Sequence, residues 1–104
     1  MRSHEWIDQR SLALHEAVAA RLEAQPELLG VACANLQRWL TAGPSPAVRE
    51  WKRLLDTLPL PELLELLRSP DEDAARLRQS SPFAGVLSPA ERRAILSRYE
   101  SSSA

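Results

Sequence analysis

Eight prolines divide the 104 residues of this chain. Proline lacks the amide hydrogen that a helix interior needs, yet it fits a helix's first turn, so its positions fix where helices begin and end. Gln25 precedes Pro26 and is biased out of helical geometry, which ends a first helix over 6–24. Ser3 is its expected cap, with Glu5 in the first turn. Pro26 then takes the first position of a second helix, and Gly43-Pro44 stops it. Ser45-Pro46 restarts the chain with serine as cap. Leu58-Pro59-Leu60-Pro61 breaks the third helix and opens a short fourth over 62–68. Ser69-Pro70-Asp71-Glu72 and Ser88-Pro89-Ala90-Glu91 share the pattern Ser-Pro-x-Glu, a capping box with proline at the first helical position. Glu72 also stands four residues before Arg76, in the order that favours an ion pair.

Between these marks the apolar residues recur at three- and four-residue spacing. Ile7, Ser11, Leu14, Val18 and Leu22 form the stripe of the first helix, widened by Leu12, His15 and Ala19. Leu29, Cys33, Leu36 and Leu40 form that of the second, with Leu28, Ala32 and Trp39 beside them. Val48, Trp51, Leu55 and Leu58 face inward from the third, while Arg49, Glu50, Lys52, Arg53 and Asp56 face water. In the fourth, Leu63, Leu64, Leu66 and Leu67 cover more than half the circumference, the pattern of a deeply buried helix or one packed on a partner. No alternating segment is long enough to argue for a sheet. The expected fold is all-α, one domain over 1–100 built as a bundle or irregular array of five to six short helices, with a Ser-rich disordered tail over 101–104.

Composition narrows the function. An apolar share of 44% supports a core, and aromatic residues at 5% make it mostly Leu, Ala and Val. The 13 basic residues nearly balance the 14 acidic ones. A near-neutral chain is poorly suited to bulk, charge-driven binding of nucleic acid or an anionic membrane. The single cysteine, Cys33, has no disulfide partner, and its place on the inner stripe predicts a buried, inert thiol. No run approaches the length of a membrane helix, and the first residues lead straight into amphipathic sequence. A reducing cytoplasm is the expected compartment.

Catalytic chemistry finds little footing. His4 and His15, with Glu5 and Glu16 beside them, point about 100° apart within each pair and do not converge on a metal. Ser80 and Ser81 have no histidine near them in sequence, so no activated nucleophile is expected. The Asp71-Glu72-Asp73 run reads as a solvated helix start. No catalytic, cofactor or metal residue is therefore assigned, and the chain is expected not to be an enzyme.

Two groups of residues invite a binding role. Arg78-Gln79-Ser80-Ser81-Pro82-Phe83-Ala84-Gly85-Val86-Leu87 places the only Phe in an apolar loop between two capped helices. Such a loop either folds back onto the core or presents itself to a partner. In the second case Arg76, Arg78, Phe83, Val86, Leu87 and Arg92 form a protein-docking surface, with Arg93 beside it, because aromatic and Arg anchors are enriched at interface hot spots. Separately, the second and third helices with their glycine turn have roughly a helix-turn-helix layout. Arg49, Lys52 and Arg53 would then contact phosphates of DNA, although Glu50 and Asp56 share that face. The leucines of 63–67 and the tryptophans would serve a homodimer or a larger assembly equally well.

The pairing of Ser11-Leu12-Ala13-Leu14-His15 with the late Arg78 to Leu87 segment, together with Arg38-Trp39-Leu40 and Glu50-Trp51, resembles small all-helical bacterial proteins encoded beside toxin genes. That resemblance spans most of the chain and implies an antitoxin-like role: binding and neutralising a partner enzyme that acts on nucleotides or RNA. Many antitoxins wrap the toxin with a long disordered tail. This chain has only a short Ser-rich one, so binding through the folded surface is expected.

Overall fold

A computed structural model of the protein describes residues 4–101, with side chains over 6–99. Six α-helices follow in order: α1 (His4–Ala24), α2 (Leu29–Ala42), α3 (Pro46–Thr57), α4 (Leu60–Arg68), α5 (Glu72–Arg78) and α6 (Pro89–Ser101). The fold is all-α, and the helices form an irregular array of 40 × 29 × 25 Å. Long α1 is the axis. It packs along α4, α5 and α6, while α2 pairs with α3 and α4 touches α5.

Local chemistry sets most of the helix ends. Ser45 is extended and its hydroxyl accepts the Val48 N–H at 3.3 Å, with Pro46 at the first position of α3. At α6 the capping box closes in both directions: Glu91 N–H donates to Ser88 Oγ at 3.1 Å, and Ser88 N–H donates to Glu91 Oε1 at 3.0 Å. Glu91 also receives Arg21 from α1, so this box pins the start of α6 to the axis helix.

Several expectations need correction. Pro26 opens a short 3-10 turn (Pro26–Leu28) that leads into α2, instead of starting the α-helix itself. The first Ser-Pro-x-Glu box does not form. Asp71 is the residue before α5, and the Ser69 hydroxyl accepts the Asp71 N–H at 3.2 Å in a local turn. Ser69 lies one residue past α4 and its own N–H is bonded to Leu66 O, so its backbone is committed to ending α4. Arg76 turns away from Glu72. Its guanidinium grips both carboxylate oxygens of Glu50 at 3.1 Å and Asp73 at 2.9 Å, joining α5 to α3. Ser101 is the last residue of α6, whereas 102–104 of the expected tail, and the Ser3 cap, lie outside the described residues.

The core gathers Val18, Ala19 and Leu22 of α1, Leu63, Leu64 and Leu67 of α4, Leu36 of α2 and Trp51 of α3. The α4 leucines are thus mostly spent inside, leaving Leu66 half-buried. On α1 the stripe holds from His15 to Leu22, but Ile7 at its head is 43% exposed. On α2 the inward face is rotated from the expected one. Ala32, Asn35 and Leu36 are buried, and Cys33 is exposed, not buried. One residue is about 100° of helix, so this small rotation exchanges a thiol for an amide at the core. No helix among the described residues is long and apolar enough to cross a membrane.

Candidate functional site

The segment after α5 turns inward. Phe83 and Val86 are 3% and 4% exposed, and Pro82 is fully buried. Phe83 packs edge-on against Trp51, with ring centroids 5.5 Å apart, and against His15 at 6.3 Å. Such T-shaped pairs add about 0.5–1.5 kcal/mol beyond the area they bury. Phe83 is therefore a plug between α1 and α3, and the docking role expected of Phe83 and Val86 is corrected to a structural one. The physical reason is size: an aromatic side chain buries more than any other group the loop carries.

A buried loop must satisfy its backbone groups, and this one borrows side chains to do so. The Asn35 amide donates to Pro82 O at 2.8 Å and to Ala84 O at 2.9 Å, while its own carbonyl oxygen accepts from Arg38. The Trp51 indole donates to Leu77 O at 2.9 Å, a carbonyl at the end of α5 that also accepts the Ser80 N–H at 3.2 Å. Gly85 completes the turn at φ +96°, a backbone region that favours glycine.

Contrary to the expectation for Ser81, a histidine does stand beside it. Ser81 Oγ lies 2.8 Å from His15 Nε2, although 66 residues separate them in sequence. His15 Nδ1 lies 2.7 Å from Ser11 O. A backbone carbonyl only accepts, so Nδ1 carries the proton, Nε2 is the acceptor and the Ser81 hydroxyl donates to it. Ser81 Oγ in turn accepts the Phe83 N–H at 3.3 Å. The pair has the spacing of a nucleophile and its base. Its surroundings favour a tie: the imidazole is 7% exposed, and burial, reinforced by the nearby Arg78 charge, pushes its pKa down and weakens it as a base. No spacing rule links these positions, so only the fold reveals them.

Of the remaining residues expected to dock, Arg78 is 5% exposed and donates from Nη1 to Ser69 O at 2.6 Å. Arg76 is exposed but held by Glu50 and Asp73. Leu87 is half-buried, and Arg92 and Arg93 are exposed. Leu87 and Arg92 border a cavity of about 180 Å³ over His15, Ser81 and Phe83. A larger groove, about 400 Å³, runs beside it between α1 and the end of α5, reaching Ile7, Arg10, Arg78 and Arg92. Sequence reasoning passed over Ile7 and Arg10 because periodicity placed Ile7 in the core stripe.

Arg49, Lys52 and Arg53 are all exposed on α3, as expected. Lys52 is paired with Asp56 at 2.5 Å. The turn from α2 into α3 runs through Gly43, Pro44 and Ser45. Among the described residues, no group of three or more His, Cys, Asp or Glu side chains is placed to hold a metal ion. In comparisons with known proteins, no family model, no curated protein and no solved structure matches this chain.

Proposed function

We propose that this protein is a non-enzymatic, antitoxin-like module that binds and neutralises a partner enzyme in the bacterial cytoplasm. The contact surface of this reading is the rim of the α1–α5–α6 groove, in place of the Phe83 loop. One observation carries it. Ile7 is the large hydrophobic side chain standing exposed among the described residues, and the groove it borders also takes in Arg10 and Arg92. Arginine is enriched at interface hot spots, and the exposed Ile7 gives these arginines an apolar neighbour.

The test is a tagged pull-down from nuclease-treated lysate of the source organism, comparing the wild type with Ile7→Asp/Arg92→Glu. One stoichiometric protein, lost in the variant while helicity is unchanged, supports the reading. Equal recovery with both proteins removes this surface from it.

A second reading, a small DNA-binding regulator, is favoured by the exposure of Arg49, Lys52 and Arg53 on one helix after a glycine turn. It requires salt-sensitive binding to duplex DNA upstream of the protein's own gene, with the slope reduced in the triple glutamine variant. The Lys52–Asp56 pair weakens this reading, since one of its three cations is already engaged.

A further inference from the structure

Arg78 is a buried charge held by a single hydrogen bond. Its side chain is 5% exposed, its Nη1 is satisfied by Ser69 O, and its Nε is buried with no hydrogen-bond partner. Asp8 and Glu16 reach it only through their fields, and no ion pair forms on it among the described residues. A guanidinium taken out of water without a direct counter-charge is costly, and so is a buried N–H left unmade. Arg21, Arg68 and Arg76, by contrast, each hold a carboxylate.

The groove that Arg78 lines explains where such a counter-charge would come from. Arg10 and Arg92 line it too, and neither forms an ion pair among the described residues. The Arg10 guanidinium rests 5.3 Å above the Trp6 ring. Against these three cations the groove has one carboxylate, Asp8. Ser11 and Gln79 add neutral donors, and Ile7 and Leu14 supply an apolar wall. At about 400 Å³ the space lies within the range of small-molecule sites, roughly 300–1,000 Å³.

We propose that this groove binds a phosphate monoester, its phosphoryl oxygens on Arg78, Arg10 and Arg92 and its organic body against Ile7 and Leu14. The charge decides for phosphate over carboxylate: a phosphate monoester carries about −1.5 to −2 at neutral pH, which suits three guanidinium groups opposed by Asp8 in the groove and the more distant Glu16. The planar fork of arginine matches its oxygens two at a time. Arg78 is the fixed charge in the groove wall, its Nε too enclosed for direct contact, and the two rim arginines flank the ester. The ester site shares Ile7, Arg10 and Arg92 with the partner-binding rim but does not depend on that reading, because it is tested on the protein alone.

The experiment is a titration of the ¹⁵N-labelled full chain with phenyl phosphate, with benzoate and inorganic phosphate as parallel probes. The expected result is saturable binding of phenyl phosphate that shifts the Arg78 Nε–H signal and the amides of Ser11 and Gln79. Arg10→Gln and Arg92→Gln, both at the rim, should each weaken it roughly tenfold, the loss of one charge-assisted contact, with the helical spectrum unchanged. Benzoate binding as tightly would overturn the phosphate assignment, and inorganic phosphate binding as tightly would overturn the role of the apolar wall. An unmoved Arg78 Nε–H signal at millimolar phenyl phosphate overturns the site, whatever the pull-down returns.

Discussion

His15 Nε2 accepts a hydrogen bond from the Ser81 hydroxyl at 2.8 Å, and this contact ties the middle of α1 to a loop near the far end of the chain. The same hydroxyl accepts the Phe83 N–H, so one serine orients both the imidazole and the plug. Ser81→Ala removes a donor from a buried ring nitrogen and an acceptor from a buried amide. It is expected to cost about 1–3 kcal/mol, the penalty of leaving such groups unmade. Urea denaturation checks it, the midpoint falling while the slope is unchanged. A midpoint equal to the wild type would show that solvent replaces the serine at no cost.

The same pair makes stability depend on pH. Burial holds the pKa of His15 below its ordinary value, so the unfolded chain takes up the proton first. Stability contributed by neutral His15 is complete above the unfolded value of about 6.5 and is lost as pH falls through the depressed folded value. Glu50 and Glu91 act in a lower window. Arg76 holds the Glu50 carboxyl below its usual range, and the Ser88 hydrogen bonds do the same for Glu91. Their contribution is present above about pH 4.5 and lost below it. Denaturation midpoints measured between neutral and mildly acid pH should decline in the wild type and flatten in His15→Gln. Parallel curves for the two proteins would contradict this assignment.

Phe83→Ala is expected to cost about 3–5 kcal/mol, because the ring fills the space between His15 and Trp51 and leaves a cavity behind. In a chain of this size that lowers the melting temperature by roughly 15 °C or more, as circular dichroism would read. A freely exposed docking Phe would give almost no change.

Gly85→Ala tests the turn itself. An added Cβ would meet Val31 Cγ1 at 3.4 Å, which is close to ordinary contact, so space is not the obstacle. The backbone at φ +96° is, and holding alanine there costs on the order of 1–3 kcal/mol. The thermal midpoint should fall accordingly, without loss of helix content at low temperature.

Cys33 offers a direct check on the rotation of α2. Being exposed, it should react completely with a thiol reagent in the native protein, at a rate that denaturant barely increases. Cys33→Ser should change stability by less than about 0.5 kcal/mol, as for surface substitutions generally. A thiol protected until unfolding would restore the inward stripe that periodicity suggests.

Helix number, helix class and most helix boundaries were determined by the sequence itself, because proline and serine act within a few residues of where they stand. Ser45, Gly43 and Ser88 do in the structure what their local chemistry predicts. The two Ser-Pro-x-Glu segments mark the limit of that logic: Ser88 closes its box, and Ser69, pressed against the end of α4, does not. Which side of a helix goes inside was decided only by the tertiary structure. Hydrophobic spacing puts Cys33 in and Asn35 out. The buried loop over Pro82 and Ala84 has two carbonyls that need a donor, and the Asn35 amide supplies both hydrogens. His15 follows the same rule through the Ser81 hydroxyl. A polar side chain enters the interior when a distant backbone or hydroxyl group satisfies it, and no reading of neighbours along the chain contains that partner.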